Sequence, residues 1–202
     1  MRMNQRNKLI IFVKNEEAGK TKTRLAATIG DEEALEAYRR LLTYTFSQAK
    51  NVNAHKEVWY SRYKAEDDIW ASGDFNKKVQ SGEDLGKRMS NAFEHSFKKE
   101  KVQSVVVIGS DCAELKTEII EEAYSKLKDH DFVVGPAEDG GYYLLGMSQF
   151  YPDVFEGIEW STESVFDQTV KKIEALDLNL ALLQTLNDVD NIDDWNQVKD
   201  RL

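Results

Sequence analysis

Four β-branched residues in a row, Val105-Val106-Val107-Ile108, run straight into Gly109-Ser110-Asp111-Cys112. This segment constrains the chain most. A strand with one face in water alternates apolar and polar residues, whereas an unbroken apolar run suits a strand covered on both faces. Leu9–Val13 is a second such run, and Phe132–Gly135 and Tyr142–Gly146 are shorter ones. Glu57–Arg62 and Leu178–Thr185 are further strand candidates. Amphipathic stretches lie between them. Asp31–Lys50 carries Leu35, Tyr38, Leu42, Thr45 and Phe46 at helical spacing, and Asp84–Lys99 carries Leu85, Met89, Ala92, Phe93 and Phe97. Lys116–Lys128, Ser161–Leu176 and Asn191–Leu202 read as helices too. The alternation predicts an α/β fold: a three-layer sandwich with a mostly parallel central sheet, residues 1–202 forming one domain. One antiparallel strand is expected near Tyr142–Gly146, because Asp139-Gly140-Gly141 can reverse the chain directly.

Composition narrows the function classes. The 202 residues are 41% hydrophobic and 31% charged, which is globular. The net charge of −9 argues against general nucleic-acid binding, since an acidic surface repels a phosphate backbone. A small phosphorylated ligand stays possible, because local cations or a metal held by carboxylates dominate at short range. Cys112 is the single cysteine, so no intrachain disulfide forms and a reducing compartment fits. Met1–Lys8 is polar, and Leu9–Val13 is too short for a signal core or a membrane span, so a cytoplasmic protein is expected.

The chemistry-bearing residues fall at strand ends, where open α/β sheets bind ligands. After the first strand come Lys14, Gly19, Lys20, Lys22 and Arg24, four cations around a glycine in an acidic chain. They can face a diphosphate or form a solvated basic loop. The spacing is not that of a P-loop. If residues 22–24 are extended, Lys22 and Arg24 point the same way and clamp one diphosphate. Asp111 is placed to hold Mg²⁺ or Mn²⁺, or else to cap the following helix, although Thr117 or a neighbour lies closer to that helix start. In Gly135-Pro136-Ala137-Glu138-Asp139-Gly140-Gly141-Tyr142-Tyr143, Glu138 or Asp139 can bind a sugar hydroxyl, assist a metal or act as a base. Gly140 and Gly141 permit close approach of the main chain to a ligand, and the same block reads as a hairpin turn. Gln80, Gly82, Asp84 and Arg88 can read a base edge, or Ser81 or Asp84 can cap a helix. Asp188 and Asp190 suit a second metal carboxylate, or Asp190 or Asn191 caps the last helix. His55, His95 and His130 have no partner at metal or triad spacing, and Cys112 reads as a buried structural thiol.

Taken in order, these segments resemble a family. The pieces are Val13-Lys14, Gly19, Lys22-Thr23-Arg24-Leu25, Gly82, Asp84-Leu85-Gly86-Lys87-Arg88-Met89, Ile108–Cys112, Gly135–Tyr143, Trp160-Ser161-Thr162 and Asp188-Val189-Asp190. The chain resembles small bacterial glycosyltransferase-like proteins called radical-SAM/selenodomain-associated transferases, of the nucleotide-diphospho-sugar transferase superfamily with the GT-A fold. Molybdenum-cofactor and lactyl-phosphate guanylyltransferases are more distant relatives. Two departures stand out: Asn15-Glu16-Glu17-Ala18 replaces a proline-containing loop, and Ala113 replaces the proline after Asp-Cys.

The resemblance implies a metal-dependent transferase acting on a nucleotide sugar, or a nucleotidyltransferase acting on a nucleoside triphosphate and a phosphorylated acceptor. A non-catalytic nucleotide-binding module is the third reading. By position, Lys14, Gly19, Lys22 and Arg24 would hold phosphates, and Gln80, Gly82, Asp84 and Arg88 would line the base. Asp111, Glu138 and Asp139 would be catalytic. Asp111 would be the principal ligand of a divalent Mg²⁺ or Mn²⁺, with Asp139 or Asp190 helping. Gly140, Gly141, Tyr142, Trp160 and Ser161 would meet the sugar or acceptor. No membrane span and no oligomeric state are implied.

Overall fold

The computed structural model describes residues 7–72 and 74–202. Its seven strands are β1 (Asn7–Val13), β2 (His55–Tyr60), β3 (Phe75–Val79), β4 (Ser104–Ile108), β5 (Phe132–Pro136), β6 (Tyr142–Met147) and β7 (Leu180–Leu182). They form one sheet in the order β3-β2-β1-β4-β6-β5-β7. β6 alone runs antiparallel, between β4 and β5; every other pairing is parallel. The helices are α1 (Thr23–Ile29), α2 (Asp31–Ala49), α3 (Leu85–Glu94), α4 (Thr117–Lys126), α5 (Val165–Ala175) and α6 (Ile192–Val198). The three-layer expectation and the antiparallel strand after Asp139-Gly140-Gly141 are both met.

Both faces of the sheet are covered, which explains the unbroken apolar runs. Leu9, Ile11, Val13, Val106 and Ile108 pack with Tyr38 and Leu42 of α2 and Ile120 of α4. Ile10, Val105 and Val107 pack on the other face with Met89 and Phe93 of α3 and Ile173 of α5. The side chains of Val105 to Ile108 are at most 4% exposed. Burying each contributes about 1.5–3 kcal/mol.

Several boundaries differ from the sequence reading. β3, Phe-Asn-Lys-Lys-Val, was not foreseen because it is an edge strand paired only with β2 and has no apolar run. α1 was not foreseen either. It starts at Thr23, directly after Lys22, whose φ of 51° is left-handed and whose side chain makes no cap. Residues 22–24 are therefore not extended, yet the Lys22 and Arg24 side chains both reach the carboxylate of Asp190. α5 begins at Val165, so Ser161–Ser164 form a loop in front of it. α3 continues through a π-helical turn, His95–Lys99. Among the described residues, no helix is long and apolar enough to cross a membrane.

Candidate functional site

The connections out of β1 and β4 diverge, β1 leading toward β2 and β4 lying on its other side. That divergence leaves a crevice at the carboxyl ends of the two strands, where open α/β sheets bind ligands. Lys14 follows β1 there and Asp111 follows β4. Tyr38 of α2 ties the two ends together. Its hydroxyl accepts from the Lys14 N–H at 2.8 Å and lies 3.1 Å from Ser110 Oγ. Tyr38 stood in the sequence as one member of an apolar stripe, and nothing there marked its hydroxyl as a clamp.

A cleft of about 650 Å³ opens at this point. Of the residues expected to act, Lys14, Lys22, Arg24, Asp111, Asp139, Gly141, Tyr142, Trp160, Ser161 and Asp190 line it. Asp188, Thr23, Leu85, Thr162, Glu163 and Val165 line it as well. Gly19, Gln80, Gly82, Asp84, Arg88, Glu138 and Gly140 are not among its lining residues.

The floor is a carboxylate cluster around one buried ammonium. Lys22 is 6% exposed. Its Nζ donates to the Val189 carbonyl at 2.6 Å and lies 3.1 Å from Asp111 Oδ2 and 3.4 Å from Asp190 Oδ1. Burial alone would lower the Lys22 ammonium, but Asp111 and Asp190 outweigh it and raise its pKa. Lys22 thus answers protein carboxylates, a different setting from the exposed phosphate contact expected of it. Asp188 has the opposite problem. Burial, then the neighbouring Asp111 charge, push its carboxyl up to about 7. Its Oδ1 is buried without a hydrogen-bond partner. The Val189 N–H donates to the Asp111 carbonyl at 3.0 Å, fixing this segment against the loop after β4.

An all-oxygen donor set with one orphaned carboxylate oxygen fits a hard divalent cation. Among the described residues, no three His, Cys, Asp or Glu side chains are grouped so as to hold a metal ion by themselves. Asp111 and Asp188, with Asp139 near them, are the carboxylates such a cation would meet here.

The exposed cations differ in availability. Arg24 Nη1 pairs with Asp190 Oδ2 at 3.3 Å. Lys14 is exposed and makes no side-chain ion pair among the described residues. Glu16 and Glu17, which break the family pattern, are drawn away from the cleft: Glu16 pairs with Arg39 at 2.9 Å, and Glu17 with Lys20 at 2.7 Å and Arg62 at 2.9 Å.

The remaining segments take structural parts. Asp84 caps α3, accepting from the Lys87 N–H at 2.7 Å. Gln80 Nε2 donates to the carbonyls of Trp59 and Val13, and its Oε1 faces Arg88 at 3.4 Å. Gln80 and Arg88 thus brace the start of α3 against the ends of β1 and β2. Asn191, rather than Asp190, caps α6 in a capping box with Asp194. Asp111 caps nothing, since α4 begins at Thr117, whose own hydroxyl donates to the Gln48 carbonyl. Asp139 closes the β5–β6 turn by accepting from the Gly141 N–H at 2.9 Å. Gly140 makes a close approach to Glu163: a Cβ there would lie 1.9 Å from the Glu163 carbonyl oxygen. Tyr142 lines the cleft but packs against the core, its hydroxyl buried, while Tyr143 points into the core on the other face and donates to the Gln184 carbonyl. Cys112 is buried and its thiol is pushed up to about 12, in keeping with a structural role.

Residues 44–162 match the profile of a family described as uncharacterized protein conserved in bacteria, DUF2064. A crystal structure from Desulfovibrio desulfuricans G20, described provisionally as a nucleotide-diphospho-sugar transferase, is 33% identical with a TM-score of 0.88. It covers 95% of this chain and 85% of its own. A 4-diphosphocytidyl-2C-methyl-D-erythritol synthase from Anaerococcus prevotii is 9% identical with a TM-score of 0.60, over 97% of each chain. A cytidylyltransferase from Leptospira borgpetersenii is 13% identical with a TM-score of 0.56, over 97% of this chain and 86% of its own. At those identities the latter two establish the fold alone. No curated protein sequence matches the chain.

Proposed function

For a chain that belongs to the DUF2064 family of uncharacterized bacterial proteins, we propose a metal-dependent transferase that binds a nucleotide-diphosphate compound in this cleft and moves a group from it. Glycosyl transfer from a nucleotide sugar is the reading preferred. It accords with the provisional description of the Desulfovibrio protein and with the resemblance to radical-SAM/selenodomain-associated transferases.

The observation that carries the proposal is the unpartnered Asp188 Oδ1 beside Asp111 at the floor of a cleft whose rim carries Lys14. A buried, unanswered carboxylate is costly, and a divalent cation is the natural answer to it. Asp111 and Asp188 would hold Mg²⁺ or Mn²⁺, with Asp139 close by and phosphate oxygens and water completing the shell. When bound, the ion would offset negative charge growing on the leaving diphosphate. Lys14 would take a phosphate oxygen directly, and Arg24 would do so on release from Asp190. Lys22 holds Asp111 and Asp190 in place from below.

A thermal-shift panel of nucleotides and nucleotide sugars, with and without Mn²⁺, tests this. A ligand at a hundred times its Kd stabilises the folded state by about 2.7 kcal/mol. Stabilisation by a nucleoside diphosphate or nucleotide sugar only with the metal is the expected result. Pyrophosphate release from a nucleoside triphosphate would turn the reading to nucleotidyl transfer. Metal-dependent binding without turnover would leave a binding module, and no stabilisation by any nucleotide would sink the proposal.

A further inference from the structure

A second groove, of about 600 Å³, shares no lining residue with the cleft. β3 contributes Lys78 and Val79 to it, α3 contributes Glu94, and the π-helical turn after α3 contributes Lys98 and Lys99. Turns of that kind recur at functional sites. With Lys64, the lining holds four lysines and one glutamate, in a chain whose net charge is −9. The groove is thus opposite in sign to the molecule as a whole. Lys64 and Lys99 are exposed and make no side-chain ion pair among the described residues. Lys98 pairs with Glu94 at 2.9 Å, but its side chain is 64% exposed and such a surface pair is easily exchanged for another. Lys78 is committed to Glu57 and Glu100.

The strand beside these lysines has a free edge. β3 ends the sheet, so its outer side faces no strand. On the inner side the Gln80 N–H donates to the Tyr60 carbonyl of β2 at 2.9 Å. Successive amides of a strand turn to opposite sides, so those of Lys77 and Val79 turn outward. Val79 is 37% exposed. An edge of this kind is a template for a further strand. Lysines on an edge ordinarily guard it, and Lys77 and Lys78 guard this one against a second β3, whose own lysines would oppose them. An acidic strand meets no such repulsion.

We propose that the groove between β3 and α3 is a docking site for an extended acidic segment of a partner protein, which adds to the sheet beside β3. Main-chain bonds at Lys77 and Val79 supply the pairing, and alternate acidic side chains reach Lys64, Lys98 and Lys99. Charge selects the partner, and the edge fixes its orientation. The site stands or falls independently of the transferase reading.

The probe is the hexapeptide acetyl-Glu-Val-Glu-Val-Glu-Val-amide, long enough to span the five residues of β3. It is compared with the same peptide carrying lysine for glutamate, with the acidic peptide N-methylated throughout, and with citrate as a bare polyanion. Binding is titrated by calorimetry, and amide exchange is followed by NMR. The acidic peptide should bind the wild type, more weakly as salt rises, and should slow exchange at the Lys77 and Val79 amides. N-methylation, Val79→Pro, and Lys98→Glu combined with Lys99→Glu should each weaken it by about tenfold or more. The Val79 nitrogen faces away from β2, so proline there leaves the β2–β3 pairing in place. The N-methylated peptide asks the same question without altering the protein, so a folding defect in a variant leaves the answer readable. No binding of the acidic peptide, equal binding of the basic one, or binding that survives both N-methylation and Val79→Pro would overturn the proposal. Citrate displacing the peptide at equal concentration would also overturn it, reducing the groove to a counter-ion site. A concentration-dependent dimer abolished by the double lysine reversal would overturn it too and assign the groove to a second copy of the chain.

Discussion

Lys8 and Lys22 are both buried lysines beside buried carboxylates, yet their surroundings differ in kind. Lys8, at the start of β1, is 0% exposed and its Nζ donates to Glu57 Oε1 at 3.1 Å, with Glu100 also paired to it. Glu57 in turn accepts from Trp59 Nε1 and Lys78 Nζ, both at 2.9 Å. Burial would raise the Glu57 carboxyl, but Lys8, Lys78 and Trp59 overcome it and hold it below the usual range. His95 closes the cluster against Lys78 and Glu100, edge-on to Trp59. Charge is answered by charge throughout. Around Lys22 it is not: one buried ammonium, helped only by exposed Arg24 on Asp190, faces Asp111, Asp188 and Asp190, and an oxygen of Asp188 is left over. The first cluster anchors the sheet. The second retains a surplus of negative charge that folding does not need, and a surplus of that kind points to a ligand.

Isosteric neutralisation of one acid in each cluster breaks or sharpens this contrast. Glu57→Gln leaves buried Lys8 and half-buried Lys78 short of a counter-charge and should cost about 3 kcal/mol in chemical denaturation. Asp188→Asn removes like-charge repulsion, so stability should hold or rise, while Mn²⁺-dependent nucleotide binding falls roughly a hundredfold, as calorimetry would show. Destabilisation of similar size by both substitutions would erase the distinction. On the rim, Lys14→Ala should lose one charge-assisted contact, about 1.5–3 kcal/mol, or tenfold or more in affinity for a nucleoside diphosphate, with the bare nucleoside unaffected. Arg24→Ala should lose less, because Arg24 must first leave Asp190. A larger effect at Arg24 would mean that Lys14 does not meet the phosphates. The smallest expected effect concerns acid. Because the folded-state pKa of Glu57 is depressed, its contribution is complete above the ordinary glutamate value of 4.5 and is lost as pH falls below it. Melting temperature should drop over that window in the wild type and with a shallower slope in Glu57→Gln.

The apolar runs and helical stripes determined the architecture without any tertiary information. Val105–Ile108 read most clearly as a strand covered on both faces, and Asp139-Gly140-Gly141 could reverse the chain, because both are local consequences of β-branched composition and backbone freedom. The same locality placed Lys14, Asp111, Asp139 and Asp190 at one edge of the sheet, since parallel strands carry their carboxyl ends to the same side. β3 escaped notice because an edge strand of Lys77 and Lys78 has no buried period to read. α1 escaped because it is seven residues long and starts without a side-chain cap. Partnership was the part that sequence could not supply. Lys22 lies 167 residues from the Val189 carbonyl it donates to, and Arg88 donates to Gln80. Chain position says which charges exist, but only packing decides which are neutralised, because Coulomb energy depends on distance and burial, and both are set by contacts between segments far apart in the chain.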